Sequence, residues 1–149
     1  MKLFAVAAVL GLATPVFSYT EEYIAAYDTF YDHGEKSLGK TSCAHGEHGL
    51  LTHGYTTFDD LPTFPYIGGS PMILSSDSRY CGTCWELTYT DPSGVSTGLN
   101  FTAMDIGGDD SEIFIISLEA LDFLTQGHGR ILDHIPITVA RKPKSACGL

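Results

Sequence analysis

The chain has 149 residues, and its eighteen Asp and Glu outnumber its eight Lys and Arg, which gives a formal net charge of −10. A nucleic-acid partner is not expected, because binding a polyanion requires clustered Lys and Arg, and the one basic cluster is Arg141, Lys142 and Lys144. Neutral polysaccharide is compatible with this acidity.

Residues 1–18 have the features of a signal peptide, namely Lys2 at the start, an apolar run over 3–13 and small side chains before the cleavage point. We therefore predict a secreted protein, extracellular or in the cell wall, whose mature domain is residues 19–149. Loss of Lys2 leaves seven Lys and Arg against eighteen Asp and Glu, a net charge of 7 − 18 = −11. The apolar run is far shorter than the roughly 20 residues that a membrane-spanning helix needs, so no membrane span is expected.

The mature chain is long enough for one hydrophobic core, so a single domain is expected. Glycine and proline punctuate its middle, with Pro62, Pro65 and Pro71 lying among glycine pairs such as Gly68–Gly69 and Gly107–Gly108. These residues favour turns and exclude a long helix there.

Three segments have the pattern of short strands, because apolar and polar side chains alternate at Trp85–Tyr89, Leu99–Ala103 and Ile131–Ala140. One helix is predicted over Ile116–Thr125, with leucines at three-residue steps and Gly127 placed to end it. Several short strands with little helix are typical of a mainly β fold, a barrel with short helices.

Four cysteines lie in the mature domain, Cys43, Cys81, Cys84 and Cys147, and an even number in a secreted domain predicts two disulfides with three connectivities open. Cys81 and Cys84 also form a C-x-x-C motif, which in thioredoxin-like proteins is a redox pair. That fold continues into a helix after the motif, whereas here the strand pattern of Trp85–Tyr89 follows, so structural disulfides are favoured.

Three histidines and Glu47 lie within residues 45–53 and are the densest group of side chains able to bind a metal. A zinc metalloprotease needs His-Glu-x-x-His on a helix, so that both imidazoles share one face. Here Gly46 and Gly49 interrupt the segment. We therefore interpret these residues as exposed loop histidines and predict neither a metal nor a cofactor.

Carboxylates after the strand Leu99–Ala103 suggest an alternative, glycoside hydrolysis, which uses two carboxyl groups on either side of a cleft. Asp105 is the best single candidate, and Asp109, Asp110 and Glu112 follow it in an acidic loop. Spacing along the chain does not place any of them opposite Asp105, and a solvated acidic loop is the favoured interpretation.

Aromatic residues are the more persuasive functional candidates, because sugar rings stack on aromatic faces while their hydroxyls bind carboxylates and amides. Most of them individually are expected to be packed in the core. The candidates are Tyr27, Tyr31, Tyr55, Tyr66, Tyr80, Trp85 and Tyr89. Asn100-Phe101-Thr102 is an N-glycosylation acceptor, although its position in a predicted strand leaves the occupancy of Asn100 open.

Several segments together resemble the cerato-platanin family of small secreted fungal proteins. The block Cys81-Gly82-Thr83-Cys84-Trp85 and the ending Cys147-Gly148-Leu149 are the specific matches. All matching segments are 27–32, 42–43, 49–51, 54–58, 61–69, 81–89, 103–105, 124–127 and 145–149.

The resemblance implies a six-stranded double-ψ β-barrel, as in expansins, with disulfides Cys43–Cys81 and Cys84–Cys147. It implies a non-catalytic protein that binds chitin or N-acetylglucosamine oligomers and loosens cellulose without hydrolysing it. It also implies recognition by a host receptor or antibody, since family members act as elicitors and allergens.

Residue by residue, Asp105 matches the aspartate of the family's sugar-binding groove, and Thr88 and Tyr89 match residues on the strand beside it. A partner carboxylate is what the family lacks, which favours binding over the alternative of a weak endoglucanase-like hydrolase. Segment 107–115 is longer and more acidic than is usual in the family, and Ile115 stands where an asparagine is common.

Overall fold

The computed structural model describes residues 21–108 and 112–149, and six strands form a closed barrel in the order β1-β5-β2-β4-β3-β6. Pairs β1/β5 and β2/β4 are parallel and the remaining pairs are antiparallel, with β6 returning to β1. The strands are β1 (Glu21–Tyr27), β2 (Ile67–Ser70), β3 (Thr83–Thr90), β4 (Ser96–Ile106), β5 (Ile113–Ile116) and β6 (His134–Lys142). The predicted mainly β fold with six strands is confirmed.

Two of the predicted strands are neighbours in the barrel wall and contribute side chains to its core. Trp85–Tyr89 lies within β3 and Leu99–Ala103 lies within β4, and Trp85 is directly opposite Phe101. Both rings contact the fully buried Phe114 edge-on, at centroid distances of 6.1 and 5.8 Å. The alternation of apolar and polar residues predicted both strands because one face of each strand packs into this core.

Helices are short and lie outside the barrel wall. The helix predicted over Ile116–Thr125 is observed as α1 (Leu118–Leu124), capped by Ser117, whose hydroxyl accepts a hydrogen bond from the Ala120 amide at 3.0 Å. A second helix, α2 (Gly129–Leu132), was not predicted. The 3₁₀ helices are Thr29–Asp32, Leu38–Lys40, Phe58–Asp60 and Lys144–Cys147.

Two expectations about local structure were wrong. Ile131 was predicted to start a strand and face the core, but it lies on α2 with 80% of its surface exposed, and β6 begins only at His134. Gly68–Gly69 was predicted as a turn, but it lies within β2. Side chains at these two positions would collide with the backbone of the neighbouring strands, so the glycines permit close strand packing rather than a turn.

The two disulfides join the β1–β2 loop and the C-terminal 3₁₀ helix to the start of β3. Cys43 pairs with Cys81 and Cys84 pairs with Cys147, as the family resemblance implied, and all four cysteines are used. The C-x-x-C motif therefore contributes one half to each bridge, and the redox interpretation is excluded.

The predicted signal peptide, residues 1–18, lies outside the described residues. Within 21–108 and 112–149, no helix combines the length and the apolar character that crossing a lipid bilayer requires.

Candidate functional site

Asp105 lies one residue before the end of β4, where it is half-buried beneath the loop that connects β1 to β2. Its Oδ1 accepts hydrogen bonds from the backbone amides of Ser42 and Ile106, both at 2.9 Å. Its Oδ2 accepts a longer bond of 3.3 Å from the hydroxyl of Tyr31. An ionised carboxylate has about four acceptor positions, so Asp105 retains capacity for another donor.

Tyr31 is the side chain that packs closest to this carboxylate from the loop. Its ring is 6% exposed and contacts Phe30 and Phe58 at 5.3 and 6.3 Å. Burial, the charge of Asp105 and the hydrogen bond to it, together with the charge of Asp28, raise the pKa of the Tyr31 phenol far above its usual value. Tyr31 is therefore a neutral donor that holds Asp105 in place.

A shallow groove opens at the same end of the barrel, between the start of β1, the start of β3 and the end of β6. Aromatic side chains of Tyr23, Tyr80 and Trp85 line it, and Glu21 and Arg141 add one carboxylate and one guanidinium. Tyr23 and Tyr80 are half-buried, so part of each ring faces solvent. Flat apolar surface flanked by hydrogen-bonding groups is suited to a sugar ring.

Tyr80 is positioned by two arginines. The guanidinium groups of Arg79 and Arg141 lie 5.0 and 5.5 Å from its ring centre, and Arg79 donates a hydrogen bond of 3.1 Å to its hydroxyl. These cation–π contacts hold the ring at the groove. Trp85 is held separately, because its indole nitrogen donates to the Thr83 hydroxyl at 2.8 Å.

Thr88 and Tyr89 do not lie beside Asp105. Tyr89 pairs with Thr97, eight positions before Asp105 on β4, which corresponds to roughly 27 Å along an extended strand. Thr88 lies on the outer face of β3, whereas Tyr89 is 9% exposed and lines a different pocket. Both residues therefore lie on the strand paired with that of Asp105, but far from Asp105 along it, and a glycan-binding role for either residue stays a prediction.

The other sequence candidates occupy scattered positions. Asn100 is exposed on β4, and its amide donates a hydrogen bond of 2.9 Å to the Ala146 carbonyl. Asp109 and Asp110 lie outside the described residues, and Glu112 is exposed just before β5. Tyr27, Tyr55 and Tyr66 are partly buried against the core.

The histidine-rich loop is built by hydrogen bonds to the main chain. The ring of His53 contacts the Glu47 carbonyl at 3.1 Å, and the His48 amide donates to Asp77 at 2.9 Å. No group of three or more His, Cys, Asp or Glu side chains suited to a metal occurs among residues 21–108 and 112–149.

Sequence reasoning selected Asp105 and, among the aromatic candidates, its neighbour Tyr31, but it missed Ser42 and the two arginines at Tyr80. Ser42 contacts Asp105 through its backbone amide, for which no side-chain pattern exists. Arg79 and Arg141 were not selected either, since they are 62 positions apart and meet only at Tyr80.

A closed β-barrel with two disulfides and an aromatic, partly charged groove at one end defines a class of small, cross-linked barrel proteins. The family model for cerato-platanin matches residues 24–149. The chain belongs to the cerato-platanin family.

Solved structures and relatives agree with this. Cerato-platanin 2 from M. perniciosa superposes with a TM-score of 0.81 at 32% identity, covering 87% of this chain and all of that one. The heat-stable 19 kDa antigen of Coccidioides immitis is 32% identical over 92% of this chain and 86% of its own length. Allergen Asp f 15 of Aspergillus fumigatus is 34% identical over 82% of this chain and 74% of its own.

Proposed function

We propose that this chain is a secreted protein that binds cell-wall polysaccharide without catalysis, outside the cell or in the wall. The proposed ligands are chitin or N-acetylglucosamine oligomers, with cellulose as a polymer that it loosens. A host receptor or antibody is a further proposed partner, which the naming of relatives as an antigen and an allergen supports.

The observation that carries the proposal is the aromatic groove, which lies at the same end of the barrel as Asp105, although Asp105 is not among the residues that line it. Tyr23 and Tyr80 supply exposed ring surface over the largely buried Trp85, and Glu21 and Arg141 supply groups that accept and donate hydrogen bonds. Since each sugar unit has apolar C–H faces and a rim of hydroxyls, this combination suits a glycan more than a purely apolar or purely ionic ligand.

Asp105 would contribute a fixed acceptor. Two backbone amides anchor Oδ1, so the carboxylate loses little conformational freedom when Oδ2 accepts a sugar hydroxyl. Hydrogen bonds to a charged group typically contribute about 1.5–3 kcal/mol, enough for Asp105 to dominate a weak glycan site.

The test is a titration of the folded protein with chitin oligomers and with cello-oligomers, followed by NMR and calorimetry. Asp105→Asn preserves the Oδ1 acceptor but replaces Oδ2 with a donor, so the loop anchor stays while the sugar acceptor is lost. We expect saturable binding that weakens at least tenfold in Asp105→Asn and also weakens in Tyr80→Ala. Asp133→Asn, an exposed carboxylate beyond α2, is the matched control and should bind as the unmodified protein does.

Binding of neither oligomer would overturn the carbohydrate proposal and leave receptor recognition as the better hypothesis. Undiminished binding by Asp105→Asn would overturn the assignment of Asp105. The endoglucanase alternative requires a second carboxylate about 5–9.5 Å away; release of reducing ends that Asp105→Asn abolishes would establish it in place of the non-catalytic role.

A further inference from the structure

A second pocket lies at the opposite end of the barrel from Asp105. It is lined by the end of β3, the turn between β3 and β4, the end of α1 and the second half of α2, and its volume is about 270 Å³.

The walls of this pocket are unusually apolar for a solvent-facing surface. Val95, Ile131 and Leu132 have exposed fractions of 51, 80 and 40%, and all three line it together with the rings and methyl groups of Tyr89 and Leu124. Single exposed apolar side chains are common, but several that converge on one concavity are typical of a ligand site.

The charge on the pocket wall is negative. Asp91 lies on the lining, and none of the described residues that line it is Lys or Arg. Hydrogen bonds from the Ser93 hydroxyl and the Val95 amide lower the pKa of Asp91, so its carboxylate is ionised at neutral pH. The chain's overall negative charge adds to this potential.

The carboxylate of Asp91 is held in place by hydrogen bonds and keeps acceptor capacity for a ligand. Its Oδ1 accepts from the Ser93 amide, the Ser93 hydroxyl and the Val95 amide at 2.8, 2.6 and 2.9 Å. All three bonds end on the same oxygen, and Oδ2 has acceptor positions of its own.

The helical wall is fixed as well. The His128 ring contacts the Thr125 carbonyl at 2.9 Å, the Thr125 hydroxyl donates to the Leu121 carbonyl at 2.7 Å, and the Gly129 amide donates to Asp122 at 2.8 Å. A pocket formed in advance in this way requires little ordering when a ligand enters.

We propose that this pocket binds a small molecule made of one apolar ring and a short arm ending in a positively charged amino group. The ring packs between Val95 and Ile131, and the ammonium group lies beside Oδ2 of Asp91. This site is separate from the proposed glycan site, so neither proposal depends on the other.

The test compares three probes of nearly equal size: phenethylamine, 2-phenylethanol and phenylacetate. They share a phenyl ring and differ in whether the arm is cationic, neutral or anionic. In NMR titrations of the full mature chain, we expect saturable shifts centred on Tyr89, Val95 and Ile131. The amine should bind at least tenfold more tightly than the acid, with the alcohol between them, and added salt should reduce the difference.

Two variants separate the charge from the apolar wall. Asp91→Asn retains an Oδ1 acceptor for the turn and removes the charge, so amine and alcohol should bind alike. Ile131→Ser should weaken all three probes, whereas Leu74→Ser, which removes an equally exposed apolar side chain away from the pocket, should change none. No saturable shifts from any probe at 10 mM, or equal affinity for amine and acid, would overturn the proposal.

Discussion

The Asp105 end and the Tyr89 end of the barrel are built by different means. Both disulfides lie at the Asp105 end, where Cys81 and Cys84 flank the start of β3. At the Tyr89 end, the chain is held by the hydrogen-bonded turn around Asp91 and by two short helices.

The difference follows from the length of chain that each end must organise. The connection from β1 to β2 covers residues 28–66 and has only three 3₁₀ helices, so much of its backbone lacks a regular partner. A covalent bond restricts such a long segment in the unfolded chain, whereas a five-residue turn is specified by local hydrogen bonds. Covalent and local stabilisation are thus divided between the two ends.

Removing the Cys43–Cys81 disulfide is the strongest test of whether the two ends are stabilised separately. Cys43→Ser combined with Cys81→Ser opens a segment of 38 residues, which should lower the free energy of unfolding by about 4 kcal/mol. Denaturant unfolding measures the loss, and NMR should show altered signals at Ser42 and Asp105. Equal perturbation of Asp91 would contradict the idea that the two ends are stabilised separately.

Two glycine substitutions compare the ends without touching a disulfide. Gly69→Ala would place a methyl group against the Ile106 carbonyl beside Asp105, and relief of this overlap should cost about 3 kcal/mol. Gly94→Ala in the turn meets no neighbour within 4 Å, but its φ of +87° disfavours a side chain, so a cost of about 1 kcal/mol is expected.

Thermal or denaturant unfolding of both alanine variants gives the comparison directly. A larger loss for Gly94→Ala than for Gly69→Ala would mean that backbone conformation in the turn limits stability more than strand packing does. That result would reverse the contrast between the ends.

The same contrast decides what the sequence could predict. The strands at Trp85–Tyr89 and Leu99–Ala103 were identified because the alternation of apolar and polar side chains is visible in consecutive residues. Gly68–Gly69 was misassigned because its function, close approach to Ile106 and Ile115, depends on residues far along the chain.

The candidate site shows this limit most clearly. Asp105 was selected from the sequence, but its partners Tyr31 and Ser42 are 74 and 63 positions away, and no local pattern connects them. The resemblance placed Tyr89 on the strand beside Asp105, but only the register of β3 and β4 shows that the two residues lie at opposite ends of the barrel. Register is a property of the assembled barrel and is not encoded in any short segment.

Tyr31 gives the smallest effect and the sharpest test of the Asp105 end. Because its phenol has a raised pKa in the folded protein, folding favours the protonated form. An unfolded tyrosine ionises near pH 10. The stabilisation is therefore fully present below about pH 10 and is lost as the pH rises above it.

Between pH 10 and pH 11, this group alone should lower the free energy of unfolding by about 1 kcal/mol. The phenylalanine side chain of Tyr31→Phe cannot ionise, so the variant does not lose this stability. Between pH 10 and pH 11, the free energy of unfolding of the variant should therefore rise by about 1 kcal/mol relative to that of the unmodified protein. Denaturant unfolding at pH 9, 10 and 11 measures both curves. Parallel curves would mean that Tyr31 ionises as easily in the folded chain as in the unfolded one, which is incompatible with a neutral donor buried against the charge of Asp105.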